Sequence, residues 1–265
     1  MAEYKIQSET LTSIADAIRS KAGETGSLSP SQMVSAIENI SSDGATEDNI
    51  EKLLTGELTE YTNNTITKIV SPLRNCSKIT KISLTSCTEF GTAYALAQNS
   101  LLREINLPLL TKDQSYTFFG NSSLETIDLP FYGAVTAGAF QNCTKLNSVN
   151  IPVATSLNNS AFNGCKVLSI LDLPLVKQIS SSVFTGCSAL IAVILRSETV
   201  VSLNNVNSFN NTPIGSGTGY IYVPSILVDT YKAAANWSTY ASQFRALEDY
   251  TVDGTITGGL DSTKI

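Results

Sequence analysis

One phrase recurs six times along the chain: an aliphatic residue, two spacers, an aliphatic, one spacer, an aliphatic, and in most copies a proline. The copies read Ile79-x-x-Ile82-x-Leu84, Leu102-x-x-Ile105-x-Leu107-Pro108, Leu124-x-x-Ile127-x-Leu129-Pro130, Leu146-x-x-Val149-x-Ile151-Pro152, Leu168-x-x-Leu171-x-Leu173-Pro174 and Leu190-x-x-Val193-x-Leu195. Their first residues step by 23, 22, 22, 22 and 22. A second track runs six residues ahead of them: Leu73, Leu96, Phe118, Phe140, Phe162 and Phe184. A unit this short buries its apolar face only against its neighbours, so a fixed period of this size predicts a solenoid.

Within each unit the x-Ile-x-Leu-Pro stretch alternates and predicts a short strand. The proline that follows has no amide to donate, so it ends the strand and turns the chain. The aliphatics and the second track point inward as stacked columns, and the spacer positions of the strands point outward.

The flanks read differently. Leu11, Ile14, Ala15 and Ile18 recur at helical spacing, and Lys21-Ala22-Gly23 supplies a stop. Ser29-Pro30-Ser31-Gln32 is a second helix start, with Met33, Val34, Ile37 and Ile40 on one face. Two helices of about ten residues each cannot build a core of their own. Their apolar stripes, centred on Leu11, Ile14, Ile18, Met33 and Ile37, are therefore candidate docking or oligomerisation surfaces. The expected organisation is a helical hairpin over 1–40, a linker over 41–44, and an opening cap with a partial rung over 45–72. The solenoid over 73–224 follows, then a helical cap over 225–248 built around Trp237, and a polar tail or β-hairpin over 249–265, where Asp253-Gly254 suggests a tight turn.

Composition narrows the chemistry. The chain of 265 residues has no histidine, which removes the commonest general base and metal ligand. Charged residues make up 15% and the net charge is −6, a poor match to nucleic acid or anionic membranes. No run reaches the ~20 apolar residues that span a bilayer. The opening Met-Ala-Glu-Tyr-Lys lacks the basic and apolar regions of a secretory signal. A non-enzymatic protein without cofactor or metal is expected.

The Asn142-Cys143-Thr144-Lys145-Leu146 and Gly186-Cys187-Ser188-Ala189-Leu190 lead-ins, taken with the core phrase and the preceding phenylalanine, resemble the BspA-like (Treponema-type) leucine-rich repeats over about residues 60–247. Ile221-Tyr222-Val223-Pro224 with Tyr231 to Trp237 resembles the terminal cap common in such proteins. Leu11 to Arg19, with Leu28-Ser29-Pro30 and Met33, resembles a short helical module of tail proteins in Firmicutes phages and prophages. These resemblances imply a leucine-rich repeat solenoid whose relatives act in surface recognition and adhesion, and they carry over no catalytic residue. With no export signal or wall anchor visible, they point first to a virion component, a phage-tail protein of receptor-binding type. Its repeat face would contact a host-surface protein or glycan, and its first helices would join other virion proteins or sister chains. The alternative is a bacterial cell-surface adhesin of the same family. A carbohydrate-active enzyme is a third and weaker reading.

Two rows of spacer residues form the candidate binding face: Ser83, Asn106, Asp128, Asn150, Asp172 and Ile194 in one, Lys81, Glu104, Thr126, Ser148, Ile170 and Ala192 in the other. Short hydrogen-bonding groups on a rigid sheet suit a saccharide or protein partner, although any exposed solenoid strand also carries polar residues for solubility. Asp128 and Asp172 lie ~10 Å apart by strand spacing, near the carboxylate separation of an inverting glycosidase, but nothing in the sequence buries or tunes either. Cys76, Cys143, Cys165 and Cys187 share one register, with Asn99 and Asn121 in the remaining two rungs. Without histidine or paired zinc-type spacing, these cysteines read as compact buried thiols. Cys87 is off-register and makes the count odd, which argues against a disulfide framework.

Overall fold

The computed structural model describes residues 52, 54–70, 72–252 and 255–256. The helical hairpin expected over 1–40 and the linker over 41–44, with Leu11, Ile14, Ile18, Met33 and Ile37, lie outside the described residues.

The six copies form successive rungs of a coil with two rows of short parallel strands. In the first row stand β1 (Glu60–Thr62), β3 (Lys81–Ser83), β5 (Glu104–Asn106), β6 (Thr126–Asp128), β8 (Ser148–Asn150), β10 (Ile170–Leu173), β12 (Ala192–Leu195), β14 (Tyr220–Val223) and β15 (Phe244–Ala246). These are the strands the core phrase predicts, extended by one rung before the six copies and two after. The second row was not foreseen. It holds β2 (Lys68–Ile69), β4 (Glu89–Phe90), β7 (Ala134–Val135), β9 (Ser156–Leu157), β11 (Gln178–Ile179) and β13 (Ser202–Leu203). Proline or its replacement sits at the corner between the rows, where a missing amide costs no ladder bond.

Pairing is in register throughout: Lys81 with Glu104, Thr126 with Ser148, Ile170 with Ala192. The first row is interrupted twice, between β5 and β6 and between β8 and β10, whereas the second row is broken between β4 and β7 and continuous from β7 to β13.

The core fills the space between the rows. Leu84, Leu107, Leu129, Ile151, Leu173 and Leu195 are all buried, and so are Leu102, Leu124, Leu146, Leu168 and Leu190. The second track forms an aromatic column. Phe118 stacks on Phe140 at 5.1 Å, Phe140 on Phe162 at 5.2 Å, Phe162 on Phe184 at 6.1 Å and Phe184 on Phe209 at 5.2 Å. Adjacent rungs are also tied here by backbone hydrogen bonds such as Phe118 N–H to Ala139 O at 2.9 Å and Phe140 N–H to Ala161 O at 2.8 Å.

Turning the chain between strands takes left-handed residues at a fixed phase: Tyr94, Tyr116, Gly138, Ser160 and Ser182, each 22 residues apart. For a bulky residue this conformation is strained. Tyr94 and Tyr116 offset part of it by stacking at 4.9 Å with rings 5° from parallel. Gly138 lies under the Tyr116 ring, so a Cβ there would collide with it.

The Cys register is a hydrogen-bond column rather than a disulfide ladder or metal site. Asn99 Oδ1 accepts from Cys76 N–H at 2.8 Å, and Asn121 Oδ1 from Asn99 N–H at 2.9 Å. In later rungs Cys143, Cys165 and Cys187 donate Sγ–H to the carbonyls of Phe118, Phe140 and Phe162 at 3.1, 3.1 and 3.0 Å. All five thiols are free and buried. Burial pushes the Cys143 thiol up to about 12 and raises Cys165 as well.

Beyond β14 the chain departs from the expected helical cap over 225–248, in which Ser225 to Ala235 reads as one helix and Trp237, Tyr240, Phe244 and Leu247 follow at helical spacing. A single 3-10 turn (Ser225–Leu227) leads into α1 (Val228–Ala233), which stops before the left-handed Asn236. Trp237–Gln243 forms 3-10 turns, and Phe244, expected on a helical face, instead belongs to β15, parallel to β14. The change has a packing cause: as a strand residue Phe244 points into the core against Tyr231 and Trp237. Trp237 is buried beside Phe209, with its Nε1–H donating to Val201 O at 2.6 Å. Finally β16 (Thr251–Val252) and β17 (Thr255–Ile256) pair antiparallel.

Candidate recognition face

The outward residues of the first row fall in two files because every strand is paired, or stacked, at the same phase. One file runs Glu60, Lys81, Glu104, Thr126, Ser148, Ile170, Ala192 and Tyr220. The other runs Thr62, Ser83, Asn106, Asp128, Asn150, Asp172, Ile194, Tyr222 and Arg245.

The two files are not uniformly open. Glu104, Asn106, Thr126, Asp128, Ser148 and Asn150 are exposed, as the sequence predicts. Ser83 is not: it is 7% exposed, and its hydroxyl accepts from Asn106 Nδ2 at 3.0 Å. Asp172 is half-buried and held by a two-pronged pair with Arg196, Nε and Nη2 both reaching Oδ2, at 3.0 and 2.8 Å. Beyond it the face closes. Ala192 and Ile194 are 5% and 2% exposed, packed under Tyr250 with Ile170, Tyr222 and Leu247 around them. The expected outward position of these two residues therefore holds for direction and fails for accessibility, because the segment after β15 folds back over them.

The open part carries a mixed set of donors and acceptors. Lys81 Nζ pairs with Glu104 Oε2 at 2.7 Å, and the carboxylate raises the lysine's ionisation range. Asn150 Nδ2 donates to Asp128 Oδ1 at 2.8 Å, leaving the other carboxylate oxygen toward solvent. Such surface pairs are worth little as stabilisers, on the order of 0–1 kcal/mol. Their effect is to fix rotamers, so that carboxylate, amide and hydroxyl groups are presented at a regular spacing of ~4.8 Å. That arrangement suits an extended polar partner. Asp128 and Asp172 do not converge as a reacting pair: one leans on Asn150 and the other on Arg196. Among the described residues no three Cys, Asp or Glu side chains come together as metal ligands, and no helix is long and apolar enough to cross a membrane.

At the closed end Arg245 lies over the Tyr220 ring, 4.2 Å from its centroid, and Tyr222 meets Tyr250 at 4.8 Å. Sequence reasoning missed this aromatic rim. Tyr220 and Tyr222 carry the strand alternation of the earlier copies, and that was the available signal.

No curated protein matches the chain. Among solved structures it is similar to a leucine-rich repeat protein of Treponema pallidum, at 20% identity over 59% of this chain and 76% of that one, with a TM-score of 0.50. A leucine-rich cell surface protein of Faecalibacterium prausnitzii matches at 19% identity and a TM-score of 0.42, over 63% of this chain. The chain spans 60% of that protein's length. A leucine-rich repeat protein of Bacteroides ovatus matches at 19% identity and a TM-score of 0.33, over 64% of this chain and 61% of that one. The Treponema likeness bears on the fold alone. The model of the BspA type leucine rich repeat region matches six copies over residues 58–133 and 114–231, most of the solenoid described above, and the chain belongs to that family.

Proposed function

We propose that the protein is a non-enzymatic surface-recognition protein of the adhesin type, binding a protein or glycan of a cell surface through the open part of its first strand row. The observation that carries this reading is the pair of polar, exposed files Glu104, Thr126, Ser148 and Asn106, Asp128, Asn150. In them Thr126 is locked in register with Ser148 and Asp128 with Asn150, while Glu104 and Asn106 hold the same phase one unpaired strand earlier. Segment 225–250 has a structural part in it, closing the apolar end of the coil and setting where the face stops.

The phage-tail reading rests on the resemblance of residues 1–40, and neither the family match nor the structural neighbours add to it. The adhesin reading is therefore preferred. Attachment or self-association through Leu11, Ile14, Ile18, Met33 and Ile37 belongs to the same proposal.

The test is an array of cell-surface proteins and glycans probed with the full chain and with an Asn106→Ala/Asp128→Ala/Asn150→Ala variant. The reading expects at least one partner that the wild type binds and the variant loses more than tenfold. Partners bound equally by both would refute it. Light scattering of the full chain against a chain lacking residues 1–40 tests the self-association: equal protomer numbers would refute that part.

A further inference from the structure

One boundary in the coil differs from the others. Between the rung of β5 and Lys112 and the rung of β6 and β7, neither row of strands is paired. Among the described residues, no backbone hydrogen bond joins 101–113 to 123–135. The other interruption, between β8 and β10, is spanned in the second row by β9 and β11. Ile105, the central aliphatic of β5, is half-buried, as is Val149 of β8 at the other interruption of the first row, while Ile82 and Ile127 are buried. On the opposite side, the same two rungs stay joined by Tyr116 N–H to Ala137 O, Phe118 N–H to Ala139 O and Gly120 N–H to Gln141 O, at 2.8, 2.9 and 2.8 Å.

A buried carboxylate sits at this boundary. Ile69, Phe90, Val135, Leu157, Ile179 and Leu203 form the apolar file of the second row, and the place between Phe90 and Val135 is taken by Asp113. Asp113 is 8% exposed. Its Oδ2 accepts from Tyr132 Oη–H at 2.6 Å and lies 3.2 Å from Thr136 Oγ1, whose single proton it shares with Gln114 O at 3.0 Å, both donors being on the next rung, while Oδ1 has no partner. The Thr117 hydroxyl beside it donates to Gln114 O at 2.7 Å. Tyr132 is the titratable group facing Asp113, and Lys112, its chain neighbour, is exposed.

We propose that this boundary is a hinge in the recognition face, latched by the Asp113–Tyr132–Thr136 hydrogen bonds and loosened when the Asp113 carboxyl ionises. The backbone bonds between 116–120 and 137–141 act as the pivot, and opening separates Glu104 and Asn106 from Thr126 and Asp128. Burial pushes the carboxyl up to about 6, so the latch is neutral below that range and carries an uncompensated buried charge above it. The hinge stands whatever the face binds.

Hydrogen exchange of the full chain, read by mass spectrometry, tests this at pH 5 and pH 7.5 against Asp113→Asn. Asparagine keeps an acceptor for Tyr132 and Thr136 and cannot ionise. At pH 7.5 the amides of 104–112 and 126–135 are expected to exchange at least tenfold faster in the wild type than in the variant. At pH 5 they should agree within about threefold, and amides of 192–195 should match at both. Equal protection of 104–112 and 126–135 at pH 7.5 overturns the proposal. If Asp113→Asn does not fold, the wild type decides alone. Protection of 104–112 relative to 192–195, corrected for intrinsic rates, should fall at least tenfold from pH 5 to 7.5, and no change overturns the proposal.

Discussion

Replacing Phe140 by alanine is the sharpest test of the stacked core. The ring is fully buried and lies between Phe118 and Phe162, at 5.1 and 5.2 Å, with planes 3° and 12° from parallel. Removing a buried phenylalanine costs ~3–5 kcal/mol through lost burial and the cavity left behind. Each stacked pair adds ~0.5–1.5 kcal/mol beyond area, which places this residue at the upper end of that range, about 5 kcal/mol. Domains of ordinary stability have ~5–15 kcal/mol in total, so the variant loses a third or more of it. A rung in a solenoid contacts only its neighbours, and a gap at Phe140 has no distant contact to compensate it. Urea unfolding followed by circular dichroism measures the loss. Fluorescence of Trp237, the single tryptophan, reports the far end of the same column through Phe209. Phe140→Leu retains most of the volume and gives up the stacking, and is expected to cost about 1–2 kcal/mol. An alanine variant within 1 kcal/mol of wild type would refute the assigned packing, and so would a leucine variant as damaging as alanine.

Three further outcomes are expected. In the native protein none of the five cysteines reacts with a thiol reagent within minutes, because all are buried and burial raises Cys143 and Cys165; in denaturant all five titrate. Gly138→Ala, facing both a left-handed backbone (φ +62°) and the Tyr116 ring, lowers stability by about 1–3 kcal/mol in the same urea assay, and Tyr116→Ala in the same chain recovers only part of it. Asp113 makes stability fall as pH rises: its folded-state value of about 6 lies above the unfolded 3.8, so its contribution is full below about pH 4 and lost as pH climbs through 6. The change amounts to about 3 kcal/mol at most, and Asp113→Asn removes it from a urea-midpoint profile between pH 4 and 8.

The 22-residue spacing made most of the solenoid legible because inward aliphatics and the Phe118 to Phe184 track must repeat wherever rungs stack. The misses have two causes: elements too short to show a period, and single residues whose burial is decided by something far off in sequence. Phe209 continues the aromatic column, but an insertion stretches the step from Phe184 to 25 residues and hides it. The second strand row occupies only two residues per rung, too few for alternation to register, although Val135, Leu157 and Ile179 keep the period. Asp113 stands in Thr111-Lys112-Asp113-Gln114, which reads as solvent-facing until Tyr132, nineteen residues on, supplies its partner. The binding face was legible in direction from the strand alternation. Its extent was not, since Tyr250 covers Ile194 from 56 residues away and Asn106 covers Ser83 from the next rung.

The central claim is that a partner meets the open part of the first strand row. The direct measurement is the hydrogen-exchange footprint of a partner identified by array, bound to the full chain. Protection concentrated on 81–83, 104–106, 126–128 and 148–150 is the predicted result. Protection confined to the turns around Asn75, Gln98, Gly120, Asn142, Gly164 and Gly186, with those strands unchanged, would contradict it.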